Sequence, residues 1–261
     1  KRGLIMGVAN DHSIAWGIAR TVHAHGAGLA FTYQNEAFAK RVRPLAEMLD
    51  ASLVVPCDVA QPKSLASVFE TIGREWGSLD FIVHAIAYSD KEELKGRYVD
   101  TTEENFRKTM DVSCYSFTQV ARMAEGLIKK SGSLLTLTFD GATRVMPSYN
   151  VMGVAKAALE ASVRYLAADL GGASIRVNAI SSGPMRTLAG SAVGGARYVY
   201  NYSRDHTPLQ RNVVLEDIGN AALFLLSDLS AGVTGEVHYV DGGLNIVGIP
   251  KPYRGESEKQ G

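Results

Sequence analysis

Short apolar runs alternate along the chain with longer segments that repeat apolar residues at helical spacing. The apolar residues of the short runs are continuous, which is typical of strands buried on both faces of a parallel sheet. The pattern predicts seven strands, at residues 4–8, 29–33, 53–57, 81–84, 134–138, 175–180 and 237–240. It predicts helices at residues 15–25, 37–48, 64–76, 103–129, 151–170 and 215–226.

Alternating strands and helices with crossovers of this size favour one α/β domain, a doubly wound parallel sheet of Rossmann type with helices on both faces. Neither an internal repeat nor a Pro- or Ser-rich linker divides the chain. We therefore expect a single domain over residues 1–249, with a flexible tail over residues 250–261.

Composition narrows the classes of function. The 27 basic and 27 acidic side chains cancel, which disfavours nucleic-acid binding through bulk charge and permits self-association. The sequence contains neither an apolar stretch of spanning length nor a secretory signal, so no membrane association is expected. Two cysteines, Cys57 and Cys114, indicate buried thiols in a reducing compartment, so a cytoplasmic location is expected. The six histidines lack ligand spacing, and no metal site is predicted.

The turn after the first predicted strand has features of a phosphate-binding loop. Gly7 permits a sharp turn beside a ligand, Ser13 precedes a helical segment, and Gly17 permits close helix–strand packing. A pyrophosphate would lie on the amide groups at the start of the helix. An ordinary strand–turn–helix with a serine cap explains the same residues, and this segment alone leaves both interpretations open.

The residue after the second strand usually distinguishes NAD from NADP. An acidic residue there binds the ribose hydroxyl of NAD, whereas a basic residue accommodates the NADP phosphate. Gln34 is neither, and Lys40 and Arg41 follow on a helix that is expected to be solvated. These residues leave NADH and NADPH both open. Asp58 follows the third strand, where it serves either turn chemistry or a hydrogen bond to adenine.

Tyr149 and Lys156 open the long helix after the fifth strand. Seven residues make nearly two turns, so both side chains lie on one face, about 10 Å apart along the axis. A nearby ammonium favours ionisation of a tyrosine and can also hold ribose hydroxyls. This pair is a candidate hydride-transfer site, although a surface lysine and a packing tyrosine would show the same spacing.

Together these motifs resemble the short-chain dehydrogenase/reductases, and more narrowly the bacterial enoyl-acyl-carrier-protein reductases of fatty-acid synthesis. The resemblance covers almost the whole chain. The similar segments are Gly7-x5-Ser13-x-Ala15-x-Gly17, Tyr33-Gln34-Asn35, Cys57-Asp58-Val59, Tyr149-Asn150-Val151-Met152-Gly153-x-Ala155-Lys156, Arg176-Val177-Asn178-Ala179-Ile180, Gly183-Pro184-x-Arg186-Thr187-Leu188-Ala189 and Val240-Asp241-Gly242-Gly243. The ketone and alcohol enzymes of the larger family use Tyr-x3-Lys, whereas the enoyl reductases use the Tyr-x6-Lys spacing found here.

The resemblance implies roles for the site residues. Tyr149 would hydrogen-bond the thioester carbonyl, and Lys156 would hold the nicotinamide ribose. The other implied cofactor contacts are Gly7, Ser13 and Ile14 at the pyrophosphate, Gln34 at the adenosine ribose, Asp58 and Val59 at the adenine, Ala85, Ile86 and Ala87 beneath the cofactor with Val112 nearby, and Met185 and Thr187 at the carboxamide.

Two positions depart from the family pattern. Many bacterial members carry a second tyrosine ten residues before the catalytic one, where this chain has Phe139. A phenylalanine packs against substrate but cannot donate a hydrogen bond, which puts any role of that hydroxyl in doubt. The other departure is His84-Ala85-Ile86-Ala87, where the family often has serine and then glycine.

Residues 188–207 are expected to form a substrate lid, because the resemblance places a mobile segment there and glycines make motion inexpensive. Ordinary helix packing is the alternative for each candidate. The candidates to contact the acyl chain are Tyr88, Phe139, Met152, Val193, Ala196 and Tyr198. Arg197 and Arg204 could meet an acidic carrier protein, although charges on such a helix are usually just solvated.

The resemblance therefore implies NADH-dependent reduction of enoyl thioesters carried by acyl carrier protein, in a homotetramer. One alternative is a keto- or hydroxyacyl reductase of the same fold, which the missing Tyr-x3-Lys disfavours. The other is a non-enzymatic dinucleotide-binding sensor or scaffold. The presence of both Tyr149 and Lys156 argues against a sensor, and Phe139 leaves it open.

Overall fold

The computed structural model describes residues 1–188 and 194–249. Within these residues the chain forms one seven-stranded sheet in the order β3-β2-β1-β4-β5-β6-β7, and every adjacent pair is parallel. The strands are β1 (Arg2–Met6), β2 (Gly28–Tyr33), β3 (Leu53–Pro56), β4 (Leu79–His84), β5 (Ile128–Thr138), β6 (Arg176–Ser182) and β7 (Val237–Val240). The predicted doubly wound α/β sheet is confirmed.

Helices cover both faces of the sheet, because each parallel crossover returns over one face or the other. The helices in the described ranges are α1 (Ile14–Ala24), α2 (Glu36–Glu47), α3 (Pro62–Trp76), α4 (Glu103–Met110), α5 (Ser116–Ala124), α6 (Asn150–Gly171), α7 (Ala196–His206) and α8 (Leu215–Leu226). Residues of α1, α2 and α8 form one apolar core, and residues of α3, α5 and α6 form the other.

The strand order reverses between β1 and β4, which lie side by side although their connections leave in opposite directions. In open α/β sheets, ligands bind beyond the carboxyl ends of strands at such a point. The amide of Ala85 donates to the carbonyl of Met6 at 3.0 Å, so the two chain segments stay together just past the strand ends. The fold therefore places the candidate cofactor loop beside the segment after β4.

The predicted helix at residues 103–129 is wrong in two respects. A π-helical turn at Asp111–Tyr115 separates α4 from α5, and the hydroxyl of Ser116 donates to the carbonyl of Val112 there. The segment then leaves the helix at Ala124, and β5 already begins at Ile128. The Leu79 amide donates to the Leu127 carbonyl at 2.8 Å, which extends β5 beyond its apolar part. Strand pairing overrides the apolar periodicity here.

Both cysteines are buried free thiols, as predicted. Burial raises the pKa of the Cys57 thiol to about 12, so this group stays protonated at neutral pH. None of the helices in the described part of the chain is both long enough and apolar enough to span a bilayer. Tail residues 250–261 lie outside the described ranges.

Candidate functional site

Gly7 directly follows β1 in a conformation that only glycine adopts without strain. Its φ is +100°, and a Cβ atom at this position would collide with the carbonyl oxygen of Ala85. The Ala85 backbone fills the space that a side chain at residue 7 would need. Gly7 therefore lets the end of β1 pack directly against the segment after β4.

The loop between Gly7 and α1 is built around Ser13. Its hydroxyl oxygen accepts hydrogen bonds from the amides of Ala9 and Asn10, both at 3.0 Å, and does not cap the first turn of the helix. The amides of Ile14 and Ala15 precede the first helical acceptor, so they have no partner within α1. Ser13 thus shapes the loop, while the amides at the start of the helix point toward the carboxyl edge of the sheet.

The expected adenosine contacts lie along the same edge. Gln34 is exposed directly after β2, and Val59 is buried near the start of α3. The Asp58 carboxylate accepts a hydrogen bond from the amide of Ala60 at 3.0 Å, which is the turn chemistry that its position also predicts. Val112 is buried in the π-helical turn, on the same side of the sheet as Val59.

Tyr149 occupies the position before the first residue of α6, on an unusual backbone. Ser148 and Asn150, on either side of it, both have positive φ, at 53° and 35°. The Asn150 side chain donates to the carbonyl of Glu93 at 3.2 Å and so ties this turn to the segment after β4. Such strain persists only where surrounding contacts hold it, and it clusters at functional sites.

The Tyr149 ring packs edge-on against Phe139, with the ring centroids 5.2 Å apart. A Cβ atom on Gly141 would collide with the same ring, so the glycine creates the space that the ring occupies. Burial of the phenol raises the pKa of Tyr149, and the nearby Glu160 carboxylate raises it further. Tyr149 is therefore a neutral hydrogen-bond donor at physiological pH.

Lys156 lies seven residues further along α6 and is buried. Its ammonium donates to the carbonyl of Leu137 at 2.8 Å, near the end of β5. Burial lowers the pKa of Lys156 to about 8, although the Cys114 and Glu160 side chains act in the opposite direction. Lys156 is therefore charged at neutral pH but titrates within the range in which enzymes are assayed.

Gly153 explains why the chain cannot use the shorter Tyr-x3-Lys spacing. A Cβ atom at residue 153 would lie 2.7 Å from the carbonyl oxygen of Gly141. A lysine at this position would push α6 away from the segment that holds the Tyr149 ring. The buried lysine of this helix is Lys156, about one turn further along.

A polar cluster that the sequence did not predict lies behind these residues. His84 is fully buried at the end of β4, and its ring nitrogens contact the hydroxyls of Thr136 and Ser116 at 3.2 and 2.8 Å. Burial lowers the pKa of His84 to about 3, and the charge on Lys156 lowers it further, so the ring is neutral. A histidine inside an otherwise apolar strand was the one signal in the sequence for this cluster.

The remaining candidates line the opening of the site. Met152 is buried against Leu94, while Tyr88 and Tyr198 are exposed. Tyr88 also lies 4.6 Å from the Lys108 ammonium, measured to the ring centroid. Four candidates are half-buried near the ends of β4 and β6: Ala85, Ile86, Met185 and Thr187. Ala196 begins α7, and Val193 lies outside the described residues.

Metal ligands are not grouped near these residues: in residues 1–188 and 194–249, no three His, Cys, Asp or Glu side chains cluster in a way that could hold an ion. The site therefore consists of a tight glycine turn after β1, helix-start amides, a neutral tyrosine and a buried ammonium. This set fits a pyrophosphate-containing dinucleotide and a substrate whose carbonyl oxygen accepts a hydrogen bond.

Comparisons with known proteins agree with this geometry. The model of the family described as enoyl-(acyl carrier protein) reductase matches residues 7–245. An enoyl-acyl-carrier-protein reductase (NADH) 2 of Rhizobium meliloti is 60% identical over 96% of this chain and 93% of its own. A crystal structure of FabI from Candidatus Liberibacter asiaticus is 56% identical with a TM-score of 0.94, covering 96% of this chain and 97% of the other. The reductase of Anaplasma phagocytophilum in complex with NAD is 55% identical with a TM-score of 0.92, covering 97% and 94%. The chain belongs to the enoyl-(acyl carrier protein) reductase family.

Proposed function

We propose that this protein reduces the carbon–carbon double bond of trans-2-enoyl thioesters on acyl carrier protein, with NADH, in the elongation cycle of fatty-acid biosynthesis. The observation that carries the proposal is the pairing on α6 of a neutral Tyr149 with a buried Lys156 at seven-residue spacing. Gly153 packs where the alternative ketone reductases would need their lysine. The activity is that of an oxidoreductase, EC 1.3.1.9.

The described residues fit the cofactor. Gly7 allows the sharp turn that brings the loop before α1 beside the segment after β4, and the amides of Ile14 and Ala15 suit a pyrophosphate. In this proposal Gln34 meets the adenosine ribose, Asp58 and Val59 meet the adenine, and Met185 and Thr187 meet the carboxamide. The remaining contacts are Ser13, Ala85, Ile86 and Val112.

When bound, NADH supplies the hydride that adds to the β-carbon of the enoyl thioester. Tyr149 donates its hydroxyl hydrogen bond to the thioester oxygen, where negative charge develops in the transition state. A donor placed in advance at that atom is worth about 3 kcal/mol, or roughly 100-fold in rate. The ring stays in position because Phe139 and Gly141 fix it.

Lys156 binds the nicotinamide ribose in this proposal and keeps positive charge near the Tyr149 hydroxyl. Its bond to the Leu137 carbonyl occupies one of the three ammonium protons, so others remain for ribose hydroxyls. The α-carbon is then protonated from solvent. The proposed path for that proton runs along the ribose and Lys156.

The substrate side of the proposal rests on position. Met152 and Phe139 flank Tyr149. The Ser113 hydroxyl holds the loop after β4, because it accepts from the Tyr88 amide and donates to the Tyr88 carbonyl. On α7, Ala196 and Tyr198 would contact the acyl chain as part of a lid over residues 188–207. The exposed Arg197 and the partly paired Arg204 on the same helix would face acidic groups of the carrier protein.

Two further parts of the proposal concern the whole protein. A homotetramer is supported by the absence of net charge and by exposed aromatic side chains such as Tyr165 on α6, 76% exposed, and Tyr115. Light scattering in solution would then give about 112 kDa for four chains. A cytoplasmic location is supported by two buried, unpaired thiols and by the metabolic role.

The test is oxidation of NADH, followed by absorbance, with a trans-2-enoyl thioester as substrate. We expect turnover by the wild type and a loss of roughly 100-fold in kcat for Tyr149→Phe. Tyr98→Phe is the matched control, because Tyr98 is an exposed tyrosine outside the proposed site and the proposed subunit interface. A parallel reaction with NADPH in place of NADH identifies the preferred cofactor. A parallel reaction with a 3-ketoacyl thioester shows whether the protein is the alternative ketoacyl reductase. Absence of turnover with every substrate, despite NADH binding, would instead indicate the sensor.

A further inference from the structure

Glu160 is a buried carboxylate that the mechanism above does not use. It lies on α6 one turn after Lys156, on the same buried face of the helix, and only 7% of it is exposed. Carboxylates are rarely buried unless a partner compensates the cost. Its one direct hydrogen bond in the described structure comes from the hydroxyl of Thr138, at 2.7 Å.

The carboxylate and the catalytic ammonium are anchored by adjacent residues of β5. The Leu137 carbonyl accepts from the Lys156 ammonium, and the neighbouring Thr138 hydroxyl donates to Glu160. These two contacts fix both side chains between the end of the strand and the helix. The opposite charges are therefore held near each other, without a direct ion pair within 4.0 Å in the part of the chain that the structure describes.

The other charged and titratable groups around the pair come from five parts of the fold. On α6, Arg164 lies one turn beyond Glu160, and Asp140 follows β5. Burial raises the pKa of Tyr239 on β7, and the Glu160 charge raises it further. Cys114 of the π-helical turn and His84 of β4 interact electrostatically with Lys156. His84 is neutral at physiological pH. The Cys114 side chain and Glu160 both raise the pKa of Lys156, and Glu160 is the carboxylate of the two.

The electrostatic effects of Glu160 on the two catalytic groups have the signs that the reaction requires. Its negative charge raises the pKa of Lys156 and thereby opposes the loss of the ammonium through burial. The same charge raises the pKa of Tyr149, which keeps the phenol protonated. Burial raises the pKa of Glu160 itself, and the Thr138 hydrogen bond and the charges of Arg164 and Lys156 counteract that rise.

We propose that Glu160 is a positioning residue that acts through Lys156, holding it as an ammonium while Tyr149 remains a hydrogen-bond donor. The inference rests on the proposed function and concerns the same site. It makes the buried face of α6 a three-residue unit in which Glu160 never touches substrate. Glu160 extends the pH range over which Lys156 is an ammonium and Tyr149 is a protonated phenol.

The test is the pH dependence of kcat/KM for enoyl reduction. Activity that requires the Lys156 ammonium falls as the pH rises through its pKa of about 8. Glu160→Gln keeps the shape and the acceptor for Thr138 but removes the charge. We expect the alkaline limb to move at least about one pH unit lower, because a unit charge as far as about 12 Å away at an effective dielectric constant of about 20 shifts a pKa by that amount. At pH 8 the loss would be at least about fivefold.

Three variants assign the effect. Lys156→Arg should abolish the limb near pH 8, because a guanidinium stays charged. Glu160→Asp should shift the limb in the same direction but less, and it serves as the test if the Gln variant does not fold. Glu216→Gln, an exposed glutamate on α8, should leave the profile unchanged.

The outcomes separate the two proposals. A wild type without enoyl reduction would remove the proposed function itself. An active wild type whose alkaline limb stays in place in both Glu160 variants would overturn the role of Glu160 and leave the proposed function intact. Equal activity loss at every pH would also overturn it, since that result indicates only a structural role.

Discussion

Single residues in this protein are held by backbone groups more often than by opposite charges. Lys156 donates to a carbonyl, and the Ser13 hydroxyl accepts from two amides. Arg176, the buried first residue of β6, also donates to the carbonyls of Leu225 and Ser227. Carbonyls and amides of a rigid sheet are fixed in space. A hydrogen bond to them therefore restricts the orientation of a side chain more than contact with a mobile charged partner does.

Gly7 gives the first prediction at this scale. In Gly7→Ala the left-handed backbone costs about 1–2 kcal/mol, and the collision with the Ala85 carbonyl adds to it. We expect a lower free energy of unfolding in urea and weaker NADH binding by fluorescence titration. Gly26→Ala is the matched control, because Gly26 also has positive φ, at 83°, but a Cβ atom there meets nothing within 4 Å. Equal losses in both variants would contradict a close approach at Gly7.

His84 gives a prediction about pH. Its pKa is about 3 in the folded protein against an ordinary value near 6.5, so only the unfolded chain binds this proton between these two values. The contribution of neutral His84 to the free energy of unfolding is therefore complete above about pH 6.5. It declines by about 1.4 kcal/mol per pH unit as the pH falls toward 3. Urea unfolding at a series of pH values measures this slope.

The control for this prediction is His84→Gln, which keeps hydrogen-bonding capacity but does not titrate. Between pH 6 and pH 4, the unfolding free energy of this variant should change less with pH than that of the wild type. The difference in slope should approach about 1.4 kcal/mol per pH unit, which corresponds to one bound proton. The comparison uses slopes, so an overall loss of stability in the variant does not affect it. Identical slopes in the two proteins would show that His84 does not carry the acid sensitivity.

At the scale of elements, the site is made where the start of α6 meets the segment after β5. Tyr149 precedes the helix, Gly141 provides space for its ring, and Gly153 lets the helix approach the segment. The two glycines thus set the separation of the helix from the end of β5. Lys156 reaches the Leu137 carbonyl only because this separation is small.

Gly153→Ala should therefore damage the site although alanine is the better helix former. The added Cβ atom lies 2.7 Å from a backbone oxygen that cannot move alone, so α6 must shift. We expect a loss of at least about 1 kcal/mol in stability, as is typical of overpacking, together with a fall in kcat. Urea unfolding and the NADH assay measure the two effects.

The matched control lies at the other end of the same helix. Gly171 ends α6, and a Cβ atom there would meet nothing within 4 Å. Gly171→Ala should therefore be neutral or stabilise the protein by up to about 1 kcal/mol, because alanine has the higher helix propensity. If both alanine variants behave alike, contact with Gly141 does not define the position of the helix.

At the scale of the whole molecule, two apolar cores share one sheet. The chain has two tryptophans, and they report on opposite faces. Trp16 of α1 is buried in one core, and Trp76 at the end of α3 packs against the other. Because the sheet contributes side chains to both cores, the single-domain prediction requires that the faces unfold together.

Single-tryptophan variants test this prediction. In Trp16→Phe the fluorescence of Trp76 should follow the same urea transition as far-ultraviolet circular dichroism, and the reverse should hold in Trp76→Phe. Each comparison is made within one variant, so differences in stability between variants do not matter. Separate midpoints for fluorescence and circular dichroism would divide residues 1–249 into more than one cooperative unit.

Local patterns in the sequence were enough to predict the class of fold and the succession of its strands, whereas the predicted helices lacked α7 and merged α4 with α5. Continuous apolar runs are a local property, and they predicted all seven strands within a few residues, apart from the early start of β5. The spacing of Tyr149 and Lys156 is also local, because it spans only the start of α6 and the residue before it. The family resemblance carried by such motifs agrees with the comparisons.

Which distant residues meet is a property of the folded chain alone. His84 finds Thr136 and Ser116, Glu160 finds Thr138, and Gly153 finds Gly141, across separations that no periodicity encodes. Strand pairing also ended the predicted helix at residues 103–129 early, because β5 satisfies backbone groups of β4. Periodicity reports which face of an element is buried, whereas the protonation states of the site depend on what packs against that face. The order of the strands in the sheet determines those neighbours.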